Sequence, residues 1–572
     1  MITNQRRPFA AARLAAGLGA ASLGAALLAA LLAAPSTARA QELWPGLTGS
    51  SSWSFAGNRL NFPSGATATT AINRASLSHL YQVSPPYAVS NIRLAYVNFY
   101  VATDASYGPE RCPGNGLNVD FATVFTGGTP GDQVTDKTAH TVTFGGAGAA
   151  RIGDCEFVWS DPLRDAAGNL VSLPAGSTYY VRSSLSVNAV GEKMVRGNTY
   201  SAEPRWTNWS TGEGVDNQGS VQTARRLTGT VPPFANGAAR SGPAVAIGTG
   251  WDGSPVFLVL GDSLGSGVDD YDFSLSTRAV VGAVARGLDD GAGSARMNYA
   301  MWTVPGSSPW DQSSIAAGEF RLRMRLLRSI PNKPFNRIFS QANQNGLYAR
   351  RPGYAGVATF AQWRGAMEGW WRFLDVSFGS MPIYQSTAYP HAIMKPGTLS
   401  YFTNIEDQYP ASQAADLVDG IGGTRDQANA WLRAGAGLPL NVTVIDLAST
   451  AEEPSDRHKW KPIPGEWTLV NAVSANTVGA VTGFQVSGAS PPTVGDVLGF
   501  DYGTPNADGV QVLRYTGTGP WTVFATGNLA RAHAAGVIGK AQMTNDGTHP
   551  LSTVNKNGAA LIIQKKANGT IH

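Results

Sequence analysis

The sequence predicts an α/β domain with three layers around a parallel five-stranded sheet, joined to an N-terminal β-sandwich and interrupted by a small β insertion. Three observations predict it. After residue 254, short continuous apolar runs alternate with helical stretches five times, the pattern of a parallel sheet covered on both faces. Before that, Ser-, Thr-, Val- and Tyr-rich runs alternate and are separated by turn residues, as in an antiparallel sandwich. Around 467–535 the Val/Thr/Gly texture returns. A chain of 572 residues with 43% hydrophobic and 14% charged residues holds two to four domains and is not disordered. Its 67 Gly and 34 Pro follow no collagen period, and 2 Cys exclude a disulfide scaffold and every cluster built on several cysteines.

Residues 1–40 read as a signal peptide. Arg6 and Arg7 open it, Leu14 to Ala34 is uncharged and apolar, and Ala38-Arg39-Ala40 has the small-x-small form of a cleavage site. Gln5-Arg6-Arg7-Pro8-Phe9 resembles a twin-arginine export signal. The other reading is an uncleaved anchor, since about 20 apolar residues can span a bilayer. The segment holds four Arg and no acid, so its removal leaves 39 of 43 basic residues against 39 acidic ones, a net charge of zero. A nucleic-acid surface is therefore not expected. Neither is stable membrane insertion after cleavage. An exported chain favours a disulfide between Cys112 and Cys155.

Residues 41–245 form the expected sandwich, with strands such as Ile92–Tyr100 and Tyr179–Val187, and Thr228 to Gly253 reads as a linker. The α/β domain spans 254–466 and resumes at 536–572. Its strands are expected at Pro255–Leu260, Met297–Trp302, Arg337–Ser340, Pro382–Ser386 and Val442–Leu447. Helices are expected at Ser276–Leu288, Ser313–Ile330, Phe360–Phe378, Arg425–Ala434 and from Leu551 to about Lys566.

Two constellations carry chemistry. Gly261-Asp262-Ser263-Leu264-Gly265 follows the first buried strand, at the sheet edge where open α/β folds bind ligands. Asp546-Gly547-Thr548-His549-Pro550 precedes the last helix. A serine hydroxyl needs a base, histidine is that base near neutral pH, and a carboxylate on the other ring nitrogen fixes its tautomer. Taken singly, each is also an ordinary turn.

Together these blocks resemble the GDSL/SGNH hydrolase superfamily over 254–466 and 536–570. The resemblance implies a flavodoxin-like sheet and ester hydrolysis with Ser263, Asp546 and His549 as triad and an acyl-serine intermediate. It further implies an oxyanion hole of Ser263, Gly306 (in Val304-Pro305-Gly306-Ser307) and Asn343 (in Gln341-Ala342-Asn343-Gln344). The family has Gly-x-Asn-Asp at the last block; here Gln341 replaces the glycine and Gln344 the aspartate, with Asn345, two residues on, as the alternative to Asn343. Gly261-x-Ser263-x-Gly265 also fits the nucleophile elbow of α/β-hydrolases, but that fold places strands of the same sheet before the elbow. His391 could line the pocket after a strand end, while His79, His140, His458, His533 and His572 read as structural or surface residues. No metal-binding motif is present, and no cofactor or metal is expected.

The expected activity is a periplasmic or secreted serine esterase, foremost a carbohydrate O-acetylesterase acting on an acylated polysaccharide or a small ester. The alternatives are a lipase or aryl esterase, an O-acetyltransferase, and a glycan-binding adhesion protein with a decayed enzyme domain. Trp251, Trp302, Trp310, Trp363, Trp370 and Trp371 are candidates for a sugar-stacking wall or for the core, with the core as the default. Oligomeric state is not legible.

Overall fold

The computed structural model describes residues 52–572 except 102–109, 131–133, 198–212, 232–240, 273–279, 290–295, 310–319, 348–358, 395–402, 404–407, 410–421, 476–481, 503, 529–530 and 545. The proposed signal segment, the first residues of two expected helices (276–279 and 313–319) and Trp310 lie outside these residues.

The parallel sheet comprises β1 (Val256–Gly261), β2 (Asn298–Thr303), β3 (Arg337–Gln341), β4 (Ile383–Ser386) and β5 (Val442–Ile445) in the spatial order 2-1-3-4-5. Every neighbouring pair is parallel. Strand β1 is buried along its whole length, which is why it reads as an unbroken apolar run. Phe257 and Val259 pack on one face with Tyr299, Phe339, Leu288 and Ile562. Leu258 and Leu260 pack on the other with Trp302, Trp363, Trp370 and Leu374. Helices α1 (Ala283–Leu288) and α6 (Ser552–Ala567) thus cover the first face. Helices α2 (Arg321–Arg328), α4 (Phe360–Phe378) and α5 (Thr424–Ala434) cover the second; α3 (Gln344–Leu347) is a single turn after β3.

Helix α4 shows how local chemistry sets an element. Thr359 and Gln362 form a reciprocal capping box, and Gly379 ends the helix at φ +79°. Its buried positions Trp363, Met367, Trp370, Trp371, Leu374 and Phe378 recur at helical spacing. Helices α1 and α6 approach closely because Gly287 and Gly558 lack side chains: a Cβ there would fall 2.5 Å from Ile562 and 2.8 Å from Ala283.

The N-terminal part holds two antiparallel sheets. One runs Trp53–Phe55, Val245–Thr249, Ser90–Val97, Phe157–Trp159; the other runs Gly214–Gln218, Ala75–Val83, Thr178–Ser186, Leu117–Thr126, Thr138–Val142. Phe55, Leu94, Val124, Val181 and Ile247 from both share one core. Cys112 and Cys155 are disulfide-bonded, as expected. The linker reading of 228–253 is corrected. Val245–Thr249 is an inner strand of the first sheet. Buried Arg182 also holds the carbonyls of Thr228 and Gly229 against the outer face of the second.

This part is fused to the α/β part by buried polar contacts. Asn298 donates to Ser54 and Phe55, and Asn58 to Asp289 and Tyr299. Buried Glu110 pairs with Arg323 at 2.7 Å and accepts the Leu322 and Arg323 backbone N–H groups, capping α2.

The insertion is a closed six-stranded antiparallel barrel. Its strand order is Glu466–Leu469, Thr482–Ser487, Trp521–Asn528, Asp508–Thr516, Val497–Phe500, Ile538–Ala541. It extends past the expected end at 535, because Ile538–Ala541 pairs with both Glu466–Leu469 and Val497–Phe500 to close it. Among the described residues, no helix is long and apolar enough to cross a membrane.

Candidate active site

Ser263 lies two residues beyond β1, in a turn held by backbone bonds from Ser266 to Asp262 and from Val268 to Ser263. Gly265 is required there: a Cβ would fall 2.8 Å from Thr303. His549 arrives from the other end of the sequence. An isolated bridge between Thr544 and Pro550 closes the loop, Gly547 turns it at φ +82°, and its carbonyl accepts from Trp460 Nε1 and Ala392 N. Helix α6 starts directly after. Its first turn is capped from the barrel, where buried Asp496 accepts the Thr553 N–H at 2.8 Å and its hydroxyl.

These elements form one hydrogen-bonded chain. His549 Nε2 lies 2.8 Å from Ser263 Oγ, and His549 Nδ1 lies 2.6 Å from Asp546 Oδ2. Asp546 Oδ1 also accepts the Thr548 and His549 backbone N–H groups. An ionised carboxylate only accepts, so the proton stays on Nδ1 and leaves Nε2 to face the serine. Burial opposes charge on both partners. For Asp546 it is outweighed by the hydrogen bond and charge of His549, which hold the carboxyl well below its ordinary range. For His549 it is outweighed by the Asp546 bond and the negative charges of Asp546, Asp269 and Asp262, which raise it above 6.5. The site is open to solvent, with His549 19% and Asp546 48% exposed.

Asp262, beside Ser263, is fully buried. Burial pushes its carboxyl up to about 7 against the opposing bond from Leu264 N and the nearby His549. Its Oδ2 accepts from Asn345 Nδ2 at 3.3 Å, and the same amide nitrogen donates to Ser307 O at 3.1 Å. Gly306, at φ +82°, sits in the turn after β2, whose Ser307 Oγ donates to Gly261 O.

The structure thus brings Ser263, Asp546 and His549 together, and places the Gly306 turn beside the end of β1. It does not bring Asn343. That side chain is 1% exposed and donates to Ser386 O at 2.6 Å, across the sheet. The reason is local. Strand β3 ends at Gln341, and α3 begins at Gln344, so Asn343 points along the sheet toward β4, whereas Asn345, on the first helical turn, reaches the nucleophile loop. Gln341 occupies the place of the family glycine with its Cβ 3.1 Å from where a Gly261 Cβ would stand. The missing side chain is on the facing strand.

The remaining histidines serve elsewhere. His458 bridges Asp426 and Asp456, His533 pairs with Asp501 and Asp508 in the barrel, His79 stacks on Tyr180, and His140 meets Thr126. His572 contacts Gly569 O. His391 precedes Ala392, whose backbone N–H donates to Gly547 O in the loop of His549. Trp302, Trp363, Trp370 and Trp371 are core residues, at most 1% exposed, and Trp251 bonds Ser254 O. The four buried ones form no sugar-stacking wall.

Neither a family model nor a curated protein matches the chain. Solved structures show a weak likeness. A family two carbohydrate esterase from Cellvibrio japonicus is 12% identical, with 72% of this chain and 92% of that one covered and a TM-score of 0.20. A carbohydrate esterase family 2 enzyme with a carbohydrate binding domain from Corynascus thermopiles is 10% identical, covering 67% and 89%, with a TM-score of 0.20. A protein described as a possible lipase from Chitinophaga pinensis is 13% identical, covering 55% and 99%, with a TM-score of 0.26. At these scores the likeness carries no argument, and the chemistry rests on the site's own geometry.

Proposed function

We propose that this chain is an exported serine ester hydrolase of the GDSL/SGNH type, acting on an acylated carbohydrate through an acyl-serine intermediate. One observation carries the reading: the unbroken chain Ser263 Oγ, His549 Nε2, His549 Nδ1, Asp546 Oδ2, with links of 2.8 and 2.6 Å. The 2-1-3-4-5 strand order supports a flavodoxin-like arrangement, whose ligands bind at the carboxyl ends of the strands, where Ser263 stands.

Ser263 Oγ attacks the ester carbonyl carbon as His549 Nε2 takes the hydroxyl proton. The new imidazolium is stabilised by Asp546. The oxyanion is received by the backbone N–H groups of Ser263 and Gly306 and by Asn345 Nδ2, which gives up its long 3.3 Å bond to Asp262 to do so, each such donor being worth about 2.7–4 kcal/mol. His549 then gives its proton to the leaving alcohol oxygen and the carbonyl re-forms as the acyl-serine. Water attacks next, with His549 again taking a proton and returning it to Ser263.

An exported chain with a solvent-open site and two β-rich parts beside its α/β part suits a polymer-borne ester better than a buried acyl tail. The test compares the chain from Gln41 with Ser263→Ala on p-nitrophenyl acetate, longer-chain esters and acetylated xylan. Turnover of the short acyl and xylan substrates, lost in the variant, is expected. Preference for long acyl chains would make the enzyme a lipase, and no turnover of any ester would overturn the reading.

A further inference from the structure

His549 has a second carboxylate beside it. One oxygen of Asp269, one of Asp546 and one nitrogen of His549 all lie within 4.8 Å of one another. Asp269 is half-buried and holds a left-handed backbone at φ +66°, a conformation that strains a residue with a side chain. The strain is imposed from both sides. Gly267 precedes it at φ +71°. Asp270 follows it and is locked: its carboxylate accepts from Arg286 at 2.6 and 2.8 Å, from Ser552 Oγ at 2.8 Å and from Gly282 N at 2.8 Å. The Tyr271 hydroxyl then donates to Asp269 Oδ1 at 2.7 Å. The loop from the nucleophile is therefore bolted to α1 and α6 one residue past Asp269, and the intervening carboxylate is turned toward the histidine.

We propose that Asp269 is a positioning residue that shares with Asp546 the stabilisation of the His549 imidazolium. This rests on the serine hydrolase reading and adds a fourth charged group to it. In the acylation step the proton moves from Ser263 Oγ to Nε2 and stays there until it passes to the leaving oxygen; Asp269 takes no part in the transfer. Among the described residues, the groups facing the ring are Asp546, Asp269, Asp262 and Ser263, and of these Asp262 is buried and held by Leu264 N and Asn345. Asp270 is neutralised by Arg286. Asp269 is thus the carboxylate besides Asp546 that is both partly solvated and beside the histidine. The same three donors could clasp a cation, but two of them are already engaged with each other at 2.6 Å.

The test titrates His549 by NMR in the full chain with isotope-labelled histidine, its signal assigned by loss in His549→Gln, alongside the pH profile of kcat/KM on p-nitrophenyl acetate. Asp269→Asn keeps a residue that tolerates the left-handed backbone. Asp269→Gly relieves the strain altogether. Both variants are expected to move the His549 titration and the acid limb of kcat/KM down by roughly one pH unit, with Asp269→Gly raising Tm. A merely structural role would move Tm without moving the titration. An unmoved titration in both folded variants overturns the proposal. The NMR readout stands whether or not esters are turned over, so failure of the hydrolase reading shows separately, as absent turnover in the wild-type chain.

Discussion

The two sides of the site are built differently. On the proton-relay side, Ser263, His549 and Asp546 bond one another directly. Their loops are fastened to several elements: to Trp460 and Ala392 through Gly547 O, to α1 through Asp270 and Arg286, and to the barrel through Asp496 at the start of α6. On the side of the proposed oxyanion hole, one side-chain amide, Asn345, spans Asp262 and Ser307 beside the Gly306 turn. The proposed relay is held by more bonds than the proposed oxyanion side. Damage to a relay member should therefore be severe and specific, while the oxyanion side should degrade in smaller steps.

The largest effect is expected from His549→Ala, which removes the base. Turnover should fall by on the order of 10⁴ or more, with folding intact by circular dichroism. Next, Asn345→Ala should lower kcat by about 10²–10³ with little change in KM. Asn343→Ala should do the reverse. It removes one of two donors to the buried Ser386 carbonyl, Gln385 Nε2 being the other, and costs about 0.5–1.5 kcal/mol of stability in denaturant unfolding, while kcat stays within a few-fold. If Asn343→Ala cripples kcat and Asn345→Ala does not, the assignment of the amide is inverted.

A smaller change tests the barrel's link to the relay. Asp496 is buried and its carboxyl is raised to about 6 by burial, against the Thr553 bonds and Lys556. Asp496→Ala should lower kcat by roughly tenfold and cost about 1 kcal/mol through loss of the cap. Glu110 gives the contrast. It caps α2, which carries no site residue, and buries its charge on Arg323. Glu110→Gln should therefore destabilise the fold, as removing one partner of a buried pair does, without a kcat change in the folded fraction. Equal effects of the two on kcat would break the distinction. The pH profile is the mildest probe. His549 must be neutral to accept the serine proton, and its pKa is raised by Asp546, Asp269 and Asp262. Activity should thus rise with pH through a midpoint above 6.5, while Asp546 stays ionised throughout.

Much of this was legible in the residues. Strand β1 and helix α4 lie almost where the apolar run and the periodicity placed them, because both are buried along whole faces. Ser263, Asp546 and His549 were legible because the chemistry demands those three types and two short motifs supply them. The choice between the Asn343 and Asn345 amides was not, because it turns on a two-residue question: where β3 stops and α3 begins. The strand Val245–Thr249 was hidden among glycines, and its partners lie far back along the chain at Ser90–Val97 and Trp53–Phe55. The barrel's last strand, Ile538–Ala541, is four residues long and shows itself only by closing a ring of distant strands. Asp269 carried no signal in the sequence; its place depends on a left-handed backbone and on the anchoring of its neighbour.

The most direct measurement is covalent. The folded chain would be treated with a fluorophosphonate that reacts only with activated serines, digested, and read by mass spectrometry. One adduct on Ser263, abolished in His549→Ala, is predicted. An adduct on another serine, or none at all on the folded chain, would contradict the account.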